Sequence, residues 1–155
     1  MPEASVSVAQ HIERMRALQA GWADPDSDRF AALFTEDAEF EDVVYGNKVR
    51  GRAAIRAYHA RVAKHARGMR VEISACEATL TTGVCEWRLF HLYSGNFDGV
   101  NCTDAKIDIR GLSVYEFADG LIHRARDYWN YMEMIRAVGV LPRELRPLCS
   151  EAAGR

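Results

Sequence analysis

Two aspartates sit where a strand buried on one side would carry Val or Thr. Asp127 lies in RARDYWNYMEM (residues 124–134), among apolar and aromatic neighbours, and Asp42 closes FTEDAEFED (residues 34–42). Side chains alternate along a strand, so Ala125, Asp127 and Trp129 share one face, opposite Arg126, Tyr128 and Asn130. Likewise Ala38, Phe40 and Asp42 share a face, opposite Glu39 and Glu41. A carboxyl held against Phe40 or Trp129 is shielded from water, which raises its pKa from about 3.9. It can then take up and return protons near neutral pH. The chemistry this points to is general acid–base catalysis.

Other residues could complete it. A guanidinium fork can keep a buried carboxylate ionised and oriented, and Arg88 of WRLF is the candidate partner of Asp127. His59, His91 and His123 offer a second titrating group. Residues 84–94 are apolar on both faces, so alternation leaves open whether Arg88 or His91 points inward. No HExxH, Gly-rich phosphate loop or Cys–His cluster occurs in the sequence, so no metal or other cofactor is expected. Cys76, Cys85, Cys102 and Cys149 lack CxxC spacing and are expected to be reduced thiols filling the core.

A single domain spanning residues 1–155 is expected, with a core over about 8–142 and a tail over 143–155, since 155 residues suit one well-buried core. Hydrophobic residues make up 48% of the chain, and its formal net charge is −2. That field favours neither nucleic acid nor an anionic membrane surface, so neither is expected as a partner. No stretch approaches the roughly 20 apolar residues of a membrane span. The opening MPEASVSVAQHIERM lacks the basic-then-apolar order of a secretory signal. A cytoplasmic location is the expectation.

The elements that must position the two acids can be read from periodicity. Val8, Ile12, Met15, Leu18 and Trp22 recur at spacings of three and four, the apolar face of a first helix. WADPDSDRFAALF carries a turn and an N-cap before a short helix ending near Phe34. Extended segments flank the turn at Tyr45, Gly46 and Asn47. Residues 53–67 form an amphipathic helix with Ile55, Tyr58, His59 and Val62 on its apolar face, stopped by Gly68. The period then changes to two, predicting strands over 69–82, 84–94, 105–117 and 121–130. A short helix over Tyr131 to Val138 and a tail broken by Pro142 and Pro147 follow.

Helices first and a strand meander after imply an α+β fold with an antiparallel sheet. The order α-α-β-α-β-β-β-β, with FTEDAEFEDVVYGNKVRGRAAIRAYH near the front and FADGLIHRARDYWNYMEMIRAVGVLP near the end, resembles the SnoaL-like members of the nuclear-transport-factor-2-like superfamily. The resemblance covers roughly residues 8–142. It implies a cone-shaped curved antiparallel sheet, an α+β barrel of cystatin type, with the N-terminal helices packed on its concave side. It also implies a dead-end apolar cavity and a homodimer through the outer sheet face. The family's fold hosts isomerases, cyclases, hydrolases and non-catalytic binders, so it does not fix the reaction.

Three relatives supply residue-level expectations. Asp42 falls on the general base of the ketosteroid isomerases, but their two oxyanion donors correspond to Leu18 and Ser113, leaving Tyr115, His59 or Tyr58 as stand-ins. RDYWN is similar to the RDYFD stretch of limonene-epoxide hydrolases, whose first Asp, matched by Asp127, activates a water. Their Arg-x-Asp pair corresponds to Arg88 and Phe90, so the acid is missing, and their Tyr and Asn correspond to Phe40 and Asp42. Polyketide cyclases of the superfamily use an Asp with a His for proton transfer. The candidate catalytic set is therefore Asp127, Asp42, Arg88 and His91. The residues expected to touch substrate are Phe40, Tyr58, His59, Phe90, Ser113, Tyr115 and Trp129. The expected activity is cofactor-free acid–base chemistry on a small hydrophobic molecule, of isomerase or cyclase type. An epoxide hydrolase with a modified acid partner and a non-catalytic binding or dimerisation module are the alternatives.

Overall fold

Ser7 starts the first helix by exchanging hydrogen bonds with Gln10: the Ser7 hydroxyl accepts from the Gln10 backbone N–H, and the Gln10 side chain accepts from the Ser7 N–H. This reciprocal cap satisfies two otherwise unpaired donors. The computed structural model describes residues 6–139. The expected tail, with Pro142, Pro147 and Cys149, lies outside them.

Four helices and six strands follow in order: α1 Val8–Gly21, α2 Ser27–Ala31, β1 Phe34–Asp42, β2 Asn47–Arg50, α3 Arg52–His65, β3 Ala66–Ala78, β4 Thr82–Phe97, β5 Val100–Ala118, β6 Leu121–Trp129 and α4 Tyr131–Val138. Asp26 caps α2 and Asn130 caps α4, each side chain accepting from two backbone N–H groups. Helix α3 ends at His65, before the expected Gly68 stop. Gly68, with φ of +63°, lies inside β3, where the pairing with β4 is irregular between Arg67 and Arg70. Its left-handed backbone serves a bulge in the strand and not a helix cap.

The six strands form one curved, open sheet in the order β2-β1-β6-β5-β4-β3. Every pairing is antiparallel except β1 with β6, which is parallel. That exception matters most for the site, because its register sets Asp42 beside Asp127. In-register partners project to the same side of a sheet.

Met15 and Leu18 of α1, Phe30 of α2 and Ile55 of α3 pack on Phe34, Phe40, Ile122 and Ala125 of the sheet. A second apolar cluster joins Trp87, Ile107 and Ile109 to Met134, Ile135 and Val138 of α4. The opposite face of the sheet carries ion pairs: Arg124 meets Glu39 at 3.1 Å, Lys48 meets Glu39 at 3.3 Å, and Arg126 meets Glu116 at 3.0 Å.

Cys76 and Cys85 correct the expectation of reduced thiols, since they form a disulfide. They are direct partners in the β3–β4 pairing, where facing side chains come within bonding reach. Spacing along the chain does not reveal this. With that pair bonded, cysteine usage no longer supports a reducing compartment. Cys102 is a half-buried free thiol. Among the described residues no helix is long and apolar enough to cross a membrane.

The Trp87 ring lies across the backbone of Gly111, its register partner on β5. A Cβ at Gly111 would fall 2.4 Å from that ring. Gly111→Ala is expected to displace the indole and to destabilise the fold by about 1–3 kcal/mol, as overpacking does. Urea unfolding followed by tryptophan fluorescence checks this.

Candidate active site

Asp42 and Asp127 stand on neighbouring strands, each 7% exposed. Both line a cavity of about 460 Å³ whose walls include Trp22, Phe40, Tyr58, Trp87, Leu89 and Trp129. Arg61 and His65 of α3 and Asn96 and Asp98 near the β4–β5 turn also line it.

The two carboxyls are held differently. Asp42 accepts at Oδ1 from Trp129 Nε1 (3.1 Å) and from the Tyr45 N–H (3.2 Å), and at Oδ2 from the Tyr58 hydroxyl (3.3 Å). Burial raises its pKa, and these donors oppose the rise. Asp127 accepts at Oδ1 from the Ser113 hydroxyl at 2.6 Å. Nothing among the described residues donates to its Oδ2. Burial pushes Asp127 up to about 7; the Ser113 hydrogen bond opposes the shift and the charge of Asp42 adds to it. Burial and Asp42 also push the Tyr58 phenol well above its usual range, so it remains a donor.

Ser113 is itself gripped from two sides. Gln19 Nε2 of α1 donates to its oxygen at 2.9 Å and Trp87 Nε1 of β4 donates at 2.8 Å. Gln19 also donates to the Tyr115 hydroxyl at 2.7 Å. Ser113 and Tyr115, expected to touch substrate, instead lie fully buried behind Asp127 and do not line the cavity. Gln19 was not anticipated. It occupies an inward position of α1, four residues after Met15, and a polar residue on that apolar face was the available signal.

On β4 the open choice is settled in favour of His91. Trp87, Leu89 and His91 line the cavity, so alternation sends Arg88 and Phe90 outward. Arg88 is therefore not the partner of Asp127. It forms a bidentate pair with Asp108, with two contacts of 2.7 Å, half exposed on the outer face. Phe90, also outside, lies under the guanidinium groups of Arg70 and Arg88. Burial lowers the His91 pKa, and its Nδ1 is buried without a hydrogen-bond partner.

His59 is also corrected. It is locked between the Ser27 hydroxyl (2.8 Å) and the Gly21 carbonyl (2.9 Å), stacked on Phe30, and does not line the cavity. His123 lies near Thr35 and Asp37, partly exposed. Leu18 is core. The structure thus brings Asp42, Asp127, His91, Phe40, Tyr58 and Trp129 to one cavity.

A curved sheet wrapped on N-terminal helices, enclosing an apolar hollow with acids on its wall, defines a cavity protein of the ketosteroid isomerase-like fold. The chain belongs to the SnoaL-like domain family, whose model matches residues 15–125. No curated protein matches it in sequence. Among solved structures, a candidate SnoaL-like polyketide cyclase from Jannaschia sp. has a TM-score of 0.76 at 18% identity, covering 92% of this chain and 100% of that one. A candidate polyketide cyclase from Xanthomonas campestris pv. campestris gives 0.73 at 21%, covering 84% and 98%. An LEH-like epoxide hydrolase from M. tuberculosis gives 0.69 at 19%, covering 96% and 98%. At these identities the likeness is one of fold.

The Asp127 carboxyl links stability to pH. An unfolded aspartate ionises near 3.8, and Asp127 in the fold at about 7. Between those values the folded chain binds more protons than the unfolded one, so stability falls as pH rises from about 4 to about 7 and then levels off. Each tenfold difference in proton affinity between the two states is worth about 1.4 kcal/mol, so the loss is on the order of a few kcal/mol. Asp127→Asn is expected to flatten this dependence and to be more stable than the parent at pH 8, as measured by urea midpoints at pH 5 and pH 8.

Proposed function

We propose that this protein is a cofactor-independent acid–base enzyme acting on a small hydrophobic substrate, of the isomerase or polyketide-cyclase type. The observation that carries this is the inequality of the two neighbouring carboxyls. Asp42 has donors on both oxygens, whereas Asp127, on the cavity wall, has no donor to Oδ2 among the described residues. A carboxyl with one oxygen available and a pKa raised to about 7 is matched to proton transfer near neutral pH. Asp127 is the proposed proton carrier, and Asp42 the fixed charge that keeps Asp127 basic. His91, on the cavity wall and uncharged near pH 7 because burial lowers its pKa, is the proposed second proton-handling group. The apolar walls would hold the substrate body and exclude water, which strengthens charge interactions at the acid pair.

The hydrolase alternative loses its arginine, since Arg88 is committed to Asp108 outside the cavity. An inert container would bind ligands with a flat pH profile.

Screening polyketide, steroid and terpenoid compounds for isomeric or cyclised products provides the test. On a substrate so found, Asp127→Asn is expected to lower kcat about 100-fold or more, the lower end of what a positioned base contributes. Asp42→Asn is expected to shift the acidic limb of the pH–rate profile downward, because the neighbouring negative charge is gone. Undiminished turnover by Asp127→Asn defeats the proposal.

A homodimer through the outer sheet face is also proposed. Exposed Val84, Leu112 and Tyr128 support it, with Leu112 and Tyr128 register partners on β5 and β6. Sedimentation equilibrium should give twice the chain mass, and Leu112→Arg should return the single-chain mass.

A further inference from the structure

The pattern of donors around Ser113 directs its hydroxyl hydrogen toward Asp127. A serine hydroxyl has one hydrogen to give and two lone pairs to receive. Gln19 Nε2 and Trp87 Nε1 are both N–H groups, donors that cannot accept, and both point at the Ser113 oxygen, at 2.9 and 2.8 Å. The lone pairs are therefore occupied. Two acceptors remain, the Tyr115 hydroxyl and Asp127 Oδ1, and the hydrogen goes to the carboxylate at 2.6 Å, because a charged acceptor forms the shorter and stronger bond. All members of this chain are buried: Gln19 is 1% exposed, Ser113 0% and Trp87 4%, so water does not compete for these bonds. An oxygen that already accepts a short hydrogen bond is a poor place for an added proton.

We infer that Gln19 and Trp87, acting through Ser113, are positioning residues that assign the exchangeable proton of Asp127 to Oδ2, the oxygen without a partner among the described residues. The inference deepens the role proposed for Asp127, yet it concerns proton placement and needs no substrate. Three elements that are remote in sequence converge on this one oxygen: α1 through Gln19, β4 through Trp87 and β5 through Ser113. The ligand consequence follows directly. A substrate presents its reacting C–H or oxygen to Asp127 Oδ2, on the cavity side, and Ser113 has no hydrogen left to give it. A reaction that develops an oxyanion beside Ser113 would therefore have to take its donor from elsewhere.

The titratable groups facing Asp127 are Asp42 from β1, Tyr58 from α3 and Tyr115 from β5, with His91 of β4 on the same cavity wall. Both phenols are raised well above their usual range by burial and stay uncharged near neutrality, so Asp42 and His91 are the groups whose titration must be separated from that of Asp127.

The test is a carboxyl ¹³C NMR titration of the whole chain labelled at aspartate, with the Asp127 signal assigned by its loss in Asp127→Asn. Ser113→Ala removes the donor to Oδ1 and is expected to raise the Asp127 midpoint by about one pH unit, a tenfold change in proton affinity, as loss of a hydrogen bond to the charged form does. Gln19→Leu frees the hydroxyl to turn and is expected to raise the midpoint by a smaller amount. The deciding comparison is the double variant. Since Gln19 acts through Ser113, Gln19→Leu adds nothing in the Ser113→Ala background, and the two effects are non-additive. Ser113→Thr, which keeps a hydroxyl, restores the parental midpoint. Trp87→Phe provides the same readout from the other side, should a Gln19 variant fail to fold. A midpoint unmoved by Ser113→Ala, or Gln19 and Ser113 effects that simply add, overturns the inference. Loss of turnover in Asp127→Asn with an unmoved Ser113→Ala midpoint would defeat this inference and leave the proposed function standing; the converse result would defeat only the function.

Discussion

Two acidic side chains made neighbours by a strand register, and withdrawn together from water, set the terms for the rest of this site. Adjacent carboxylates in a poorly polarisable environment cannot both ionise cheaply. Among the described residues the fold answers with unequal hydrogen bonding and not with a paired counter-ion. Tyr58, Trp129 and the Tyr45 N–H all serve Asp42, and their hydrogen bonds oppose the rise in its pKa that burial causes. Asp127, with Ser113 as its one donor among the described residues, absorbs the imbalance as a raised proton affinity. The residue with fewer supports is thereby the one able to change its protonation state.

Much of the scaffold can be understood as what this imbalance requires. The parallel β1–β6 pairing creates the adjacency, and β2 and β5 flank it on either side. Helix α1 contributes Gln19 from a buried face shared with His11, Met15 and Leu18, so the helix both seals the core and reaches the acid through Ser113. Gly111 has no side chain because the Trp87 indole occupies that space, and the same indole donates to Ser113. Packing and polar satisfaction are one arrangement here: displacing the ring would open a gap and leave a lone pair without its donor.

The fold was legible in the sequence largely because its periodicities are clean. Apolar spacing locates α1 and α3, and the sequence reading of α4 as Tyr131 to Val138 matches the fold. The two acids were legible too, since alternation with Phe40 and Trp129 put each on an inward face. Other features were invisible for physical reasons. On β4 both faces carry apolar residues, so alternation gave no sign that distinguished Arg88 from His91; the register with β5, which sets Arg88 one strand away from Asp108, decides it. Ser113 and Tyr115 were placed on the right face of β5, but depth behind Asp127 is a three-dimensional property that face assignment does not contain. The Cys76–Cys85 bond likewise depends on cross-strand register, and Gln19 matters only because α1 lies over β5.

The same donors that make the acid pair tolerable limit the reactions it could serve. Tyr58 and Trp129 are directed at Asp42, Trp87 and Gln19 at Ser113, and Ser113 at Asp127. An enzyme that generates an isolated enolate needs donors aimed at the developing charge, and each such donor is worth about 100- to 1,000-fold in rate. On the proposed reading, the substrates best suited to this cavity are those that spread the charge themselves, such as a carbon acid flanked by two carbonyls or a ring becoming aromatic. Such a molecule asks the protein chiefly for a well-placed base, a second group to return the proton, and walls that keep water away. Asp127, His91 and the aromatic lining match those three demands, which is why the missing oxyanion donors at Leu18 and Ser113 point to a different substrate class more than to a lost activity.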